Sequence, residues 1–281
     1  MSLKELHSKL IDIQLTHLWN QWTQLGVSGY GKKSSHIIDP EALLLYSLEI
    51  TRYDARLYDE ILDWCFVNGE FLSIPRIKTL LNSFPVNKQL SALSELISFK
   101  TRTSKWNKIV ATEKNDLIEP LFINITTGSP LPITGNVDQI HLQNGLNRPE
   151  CRFRGYSNSF PSDETGALIL KLRALFGITV RCEIIASLID GSEKHPSQIA
   201  RETDYYQKTV QDTISSMARS AFIQMRTQGR LKKYYLDKSF ITLICRDDNS
   251  HYIHWGALYK LLNTINNILL TSSDKDLSSQ T

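Results

Sequence analysis

Carboxylates, histidines and cysteines are the first side chains to test for chemistry, and here none falls into a spacing that catalysis demands. Asp59, Glu60 and Asp63 share one face at helical spacing, an arrangement from which acid/base pairs or a metal site can be built. No His or Cys accompanies them at ligand spacing, so they read as a solvated or partner-facing acidic face. His251 and His254 suggest a metal sensor but lack a Cys or carboxylate at matching spacing. The chain offers no nucleophile beside a base and no Gly-rich phosphate loop. The expectation is a protein that is not an enzyme, with no catalytic residue, no cofactor and no metal ligand.

The chemistry that remains is recognition of nucleic acid. Val210, Ile214 and Met217 recur at helical spacing as an inner face, which turns Gln207, Lys208, Thr209, Gln211, Asp212 and Ser215 outward. Gln pairs bidentately with adenine, Lys reaches guanine or phosphate, and Asp accepts from cytosine. Further on, Arg226, Gln228, Arg230, Lys232 and Lys233 cluster in FIQMRTQGRLKKYYL, a hairpin pattern expected to turn at Gln228-Gly229. Such bases contact phosphates or the minor groove and supply affinity more than sequence preference.

The elements that must hold these residues span His195 to Asp237. Pro196 opens a short helix with Ser197 and Gln198 in its first turn and Ile199 and Ala200 facing inward. Asp204 follows four residues after Ala200, and Val210 six after that. A small residue, a turn residue able to adopt a left-handed backbone and a later apolar anchor are what two crossing helices need. Two apolar helices, Thr165 to Phe176 and Thr179 to Ile189, would pack behind them.

On PSQIARETDYYQKTVQDTISSMARSAFI with MRTQGRLKKYYL after it, the chain resembles the winged helix-turn-helix regulators of prokaryotes, in the ArsR-like and MarR-like group, over about 166–237. Asp204 stands where that pattern usually has Gly, and Tyr206 where a Ser or Thr commonly caps the second helix. The resemblance implies double-stranded DNA as partner. It places the helix from about Gln207 to Ser220 in the major groove, with a basic wing on the backbone. It also implies a homodimer and a role as a sequence-specific transcriptional regulator, a repressor.

Net charge is only +3, so distribution matters more than the total. From Lys194 to Lys238 nine Lys or Arg face four Asp or Glu, whereas from Asp39 to Glu70 eight acids face two bases. The acidic segment supports a second reading, a protein-interaction adaptor or antitoxin-like partner of a neighbouring gene product. Two further basic stretches, Lys100 to Lys108 and Arg148, Arg152 and Arg154, could follow a phosphate backbone or be solvated arginines and lysines.

The fold class expected is mainly α with a small β component: a winged helix-turn-helix domain plus an N-terminal helical domain. Boundaries are placed at 1–118 for the N-terminal helical domain, which is to hold an effector or protein partner, and 119–163 for an irregular, short-strand connector and linker. The DNA-binding domain occupies 164–240, a C-terminal helical dimerisation or packing element 241–270, and a disordered tail 271–281. Cys65, Cys151, Cys182 and Cys245 form no CxxC, the N-terminus carries charges throughout, and uncharged runs are short of a membrane span. A cytoplasmic protein without membrane contact is expected.

Overall fold

The computed structural model describes residues 2–32, 34–110, 117–161, 163–245 and 250–278, with side chains as far as 272. It is mainly helical, with short strands in three two-stranded pairings. α1 (Leu3–Gln24) is opened by a capping box in which Ser2 and Glu5 satisfy each other's backbone N–H. β1 (His36–Ile37) leads to Asp39, which caps α2 (Pro40–Ile50), and Pro40 supplies the first-turn φ. α2 is buried on all sides except at Glu49, as its apolar run EALLLYSLEI requires. α3 (Ala55–Asn68), α4 (Ile74–Leu81) and α5 (Asn87–Thr101) complete the N-terminal helices.

The connector holds β2 (Glu119–Pro120), α6 (Gln139–Gln143) and β3 (Leu146–Asn147), with β2 and β3 parallel. Then follow α7 (Leu168–Phe176), α8 (Val180–Ser187), α9 (Pro196–Thr203) and α10 (Gln207–Met217). The antiparallel pair β4 (Ile223–Gln228) and β5 (Leu231–Leu236) precedes α11 (Lys238–Ile244), β6 (His251–Tyr252) and α12 (Trp255–Ser278). β6 pairs in parallel with β1, so the two ends of the chain meet.

One apolar core runs from Ile11 to Tyr259 and includes residues of both halves. α12 lies on α1 and α2: Tyr259 stacks on Tyr46 at 4.4 Å, and the Gln14 and Asn266 amides exchange hydrogen bonds of 3.1 and 2.8 Å. The packed face of α12 is therefore partly polar, and two of the residues expected on an apolar seam, Leu261 and Ile268, remain 57% exposed. No Gly or Pro interrupts the sequence after Leu270, and Thr271 Oγ1 bonds back to Asn267 O. The helix accordingly continues to Ser278, which corrects the expected disordered tail over 271–278; residues 279–281 lie outside the described residues.

A buried charge cluster ties the halves. Arg76 binds both Asp39 oxygens, Glu41 at 3.0 Å and the Thr203 carbonyl at the end of α9. Arg173 of α7 binds Glu41 and Glu183 of α8, and Tyr252 donates to Asp39 at 2.9 Å. Burial opposes ionisation of Asp39, yet the Arg76 charge holds its carboxyl below the usual range. Burial pushes Glu183 up.

The acidic face of α3 is not solvated, and the connector is not a free linker. Residues 148–160 cross that face as a strap: Arg148 pairs with Asp59 at 2.7 Å, Arg154 approaches Glu60 at 4.0 Å, and the Ser157 N–H donates to Asp63 at 3.1 Å. Glu60 and Asp63 are buried. The expectation failed because it was drawn from one helix, whereas the counter-charges lie some ninety residues on.

Candidate nucleic-acid interface

The interface residues rest on a corner between two short helices. His195 caps α9 through Nδ1, which accepts from the Ser197 N–H at 3.2 Å, and Pro196 occupies the first turn. α9 ends at Asp204, whose φ of 55° and ψ of 33° lie in the left-handed region, as its place in the sequence predicted. Asp tolerates this backbone better than most residues because its short polar side chain can bond locally. Here it bonds across the chain instead: His254 Nε2 lies 2.9 Å from Asp204 Oδ1. A Cβ at Gly256 would stand 2.6 Å from Asp204 Oδ2, so the start of α12 closes tightly on the corner.

α10 is anchored through Val210 and Ile214, both fully buried, against α9 and α8. Its N-cap, Tyr206, makes no side-chain cap bond and is 78% exposed. Outward stand Gln207, Lys208, Thr209, Asp212 and Ser215, all exposed. Gln211 is half-buried and donates to Ser215 Oγ at 3.2 Å. Ser197 is exposed, while Gln198 is half-buried and donates to Glu202 at 3.0 Å.

The hairpin is held at its base by Ile223, Tyr234 and Leu236, which are buried, and by a two-way backbone pairing of Lys194 with Tyr234 at 2.9 Å. Gln228 faces Leu231 across the ribbon, so the turn is Gly229-Arg230, one residue later than expected. Gly229 has φ +61°, a left-handed value that glycine adopts freely at the first position of a two-residue hairpin turn. The register sets Arg226 opposite Lys233 on one face and Thr227 opposite Lys232 on the other. The bases therefore project from both faces, with Arg230 in the turn. Arg226 is the exception in availability, since it pairs with Glu193 and lies over the Tyr235 ring at 5.9 Å. Tyr234 OH sits 3.5 Å from Ser215 Oγ, which sets the hairpin base against the outer side of α10.

Lys194 is withdrawn from the surface charge: it is buried, with Nζ 2.6 Å from Ser187 O and 2.8 Å from Glu202. Exposed and without an ion pair among the described residues are Arg201, Lys208, Arg219, Arg230, Lys232 and Lys238, with Lys233 half-buried beside them. Their exposed acidic neighbour on α10 is Asp212. Arg201 and Arg219 had not been singled out from sequence. Their position on the polar side of each helix was the available signal.

The other basic stretches are used internally only in part: Lys105 and Arg148 are engaged within the chain, while Lys100, Arg102, Lys108, Arg152 and Arg154 are exposed. Trp106 is buried, and Lys105 Nζ bonds to the carbonyls of Gly69 at 3.3 Å and Glu70 at 2.5 Å, with burial pushing its pKa down to about 8. The linker arginines belong to the α3 strap. His251 and His254 do not converge: the first meets His36, Nε2 to Nε2, at 2.8 Å, and the second meets Asp204. Among the described residues no helix is long and apolar enough to cross a membrane. No family model, no characterised protein and no solved structure matches the chain.

Proposed function

We propose that residues 166–237 act as a winged helix-turn-helix and that the protein is a sequence-specific, double-stranded-DNA-binding transcriptional regulator. The observation that carries this reading is the left-handed corner at Asp204 beneath an α10 whose outer polar side chains are largely uncommitted. Helix dimensions fit the major groove, and Gln207, Lys208, Asp212 and Ser215 offer the donors and acceptors that base edges require. Ser197, Arg201 and the hairpin cations Arg230, Lys232 and Lys233 supply phosphate contacts. A two-fold regulator would use the exposed Leu261 and Ile268 of α12 for self-association. A cavity of about 330 Å³ between α1, α2 and α12, lined by His7, Arg52, Tyr53 and Asn263, is the place for an effector. A protein-docking role for the acidic stretch 39–70 is disfavoured, because Asp39, Glu41, Glu60 and Asp63 are buried and partnered within the chain.

Selection of bound duplexes from a random library tests the reading. A shared motif should be enriched, and Gln207→Ala or Asp212→Ala should relax single positions of it, each by about 1–3 kcal/mol of discrimination. A library that remains random through selection would overturn the proposal.

A further inference from the structure

We propose that Asp138, His141 and Cys151 form a site for one divalent transition-metal ion of the zinc class, in the connector where it lies on α3. The site does not rest on the nucleic-acid reading and shares no residue with that interface.

The spacing begins the argument. Asp138 is the N-cap of α6 and His141 is one turn on, so both project from a single helical turn. Cys151 is brought to them by an antiparallel pairing of the flanking segments: Asp138 N–H donates to Arg148 O at 3.1 Å, and Glu150 N–H to Asn136 O at 2.9 Å. These bonds, with the Val137–Pro149 bridge, fix the relation of all three residues through backbone. Their donor atoms lie within 4.8 Å of one another, with His141 Nδ1 2.8 Å from Asp138 Oδ1 and 4.0 Å from Cys151 Sγ. Tetrahedral zinc with ordinary bond lengths needs ligand-to-ligand edges of roughly 3.3–3.6 Å, so side-chain shifts of about 1 Å admit the ion.

The surroundings fit as well as the ligands. A metal-bound imidazole needs an oxygen partner for its second nitrogen, and Tyr58 OH stands 3.0 Å from His141 Nε2. Asp59 and Arg148 neutralise each other beside the site. The thiolate and the Asp138 carboxylate are then the two charges that balance a divalent cation. One sulfur, one imidazole and one carboxylate select zinc-class ions over Mg²⁺ or Ca²⁺, which take oxygen ligands. Cys151 is half-buried, and a cavity of about 370 Å³ lined by Asn136, Asp138, Gln139 and Glu150 lies on the Asp138 side of the cluster. On binding, the thiol gives its proton to solvent as sulfur bonds to the metal. The neutral imidazole binds through Nδ1 and carries its proton on Nε2, facing Tyr58.

The test uses the full chain, freed of metal by chelation and titrated with Co²⁺. One equivalent should produce a thiolate-to-cobalt charge-transfer band, which Zn²⁺ then displaces. Cys151→Ser should abolish the band and weaken Zn²⁺ binding more than about 100-fold, Tyr58→Phe should weaken it about 10–100-fold, and Cys182→Ser and His251→Gln should leave it unchanged. Should a variant lose its fold, the wild-type protein alone decides: Zn²⁺ should protect Cys151, read by peptide mass spectrometry, from alkylation under native conditions. A band that survives Cys151→Ser, or an absence of both band and protection at saturating metal, would overturn the site.

Discussion

The acidic face of α3 and the basic unit around α10 carry comparable charge densities in sequence, and the fold treats them in opposite ways. On α3 the acids are covered: Arg148, Arg154 and the Ser157 N–H close over Asp59, Glu60 and Asp63. Over 194–238 only Lys194 and Arg226 of the bases are ion-paired among the described residues, and of the rest all but the half-buried Lys233 are exposed. A buried charge without its partner costs several kcal/mol, whereas an exposed one costs almost nothing. Charges consumed within the fold therefore report on assembly of the chain, and charges left outside are available to a partner.

Removing a consumed charge should break this contrast most severely. Arg76→Met strands Asp39 in the core and leaves Glu41 to Arg173 alone, and denaturant unfolding should show a loss of about 3–5 kcal/mol. Arg148→Ala exposes the same logic at the strap, with an effect reduced to roughly 2 kcal/mol because the Asp59 side chain retains 16% exposure. A wild-type midpoint in either variant would mean that these pairs are ornamental.

The contrast has a pH signature. Burial depresses His17 and His36 below the ordinary imidazole value, so the unfolded chain takes up protons that the folded chain refuses. Stability conferred by their neutral forms should thus fall as pH drops below about 6.5, before the carboxylates titrate. Denaturant midpoints between about pH 7.5 and 5.5 should decline, and His36→Gln combined with His251→Gln should flatten the decline. As pH falls toward the ordinary carboxylate range the raised Glu49 and Glu183 act in the other direction, because the folded state then binds protons more readily. The smallest effect on stability belongs to the uncommitted bases: Lys208→Ala, Arg230→Ala and Lys232→Ala together should move the midpoint by no more than about 0.5 kcal/mol.

Local signals made much of this architecture legible. Asp39-Pro40 announced α2, the Ala200, Asp204 and Val210 spacing announced the corner, and the basic alternation announced the hairpin. Each depends on residues within a turn or two of one another. The strap over α3, the binding of Glu41 by Arg76 and Arg173, and the seating of α12 on α1 depend on partners 35 to 252 residues apart, which no local period encodes. The proposed metal site is half legible: Asp138 and His141 stand at one-turn spacing, but Cys151 joins them only through the backbone pairing of 136–138 with 148–150. The hairpin turn slipped by one residue because Gly229 fits either position of a two-residue loop, and only the strand register decides.

The central claim, that the exposed bases of α10 and the hairpin hold a phosphate backbone, is tested most directly by the salt dependence of binding to random duplex DNA. The wild-type protein should show a steep linear fall of log affinity with log salt, and Arg230→Ala with Lys232→Ala should reduce the slope by about 2 while the fold stays intact. A flat dependence, or a slope unchanged by the double substitution, would contradict the account.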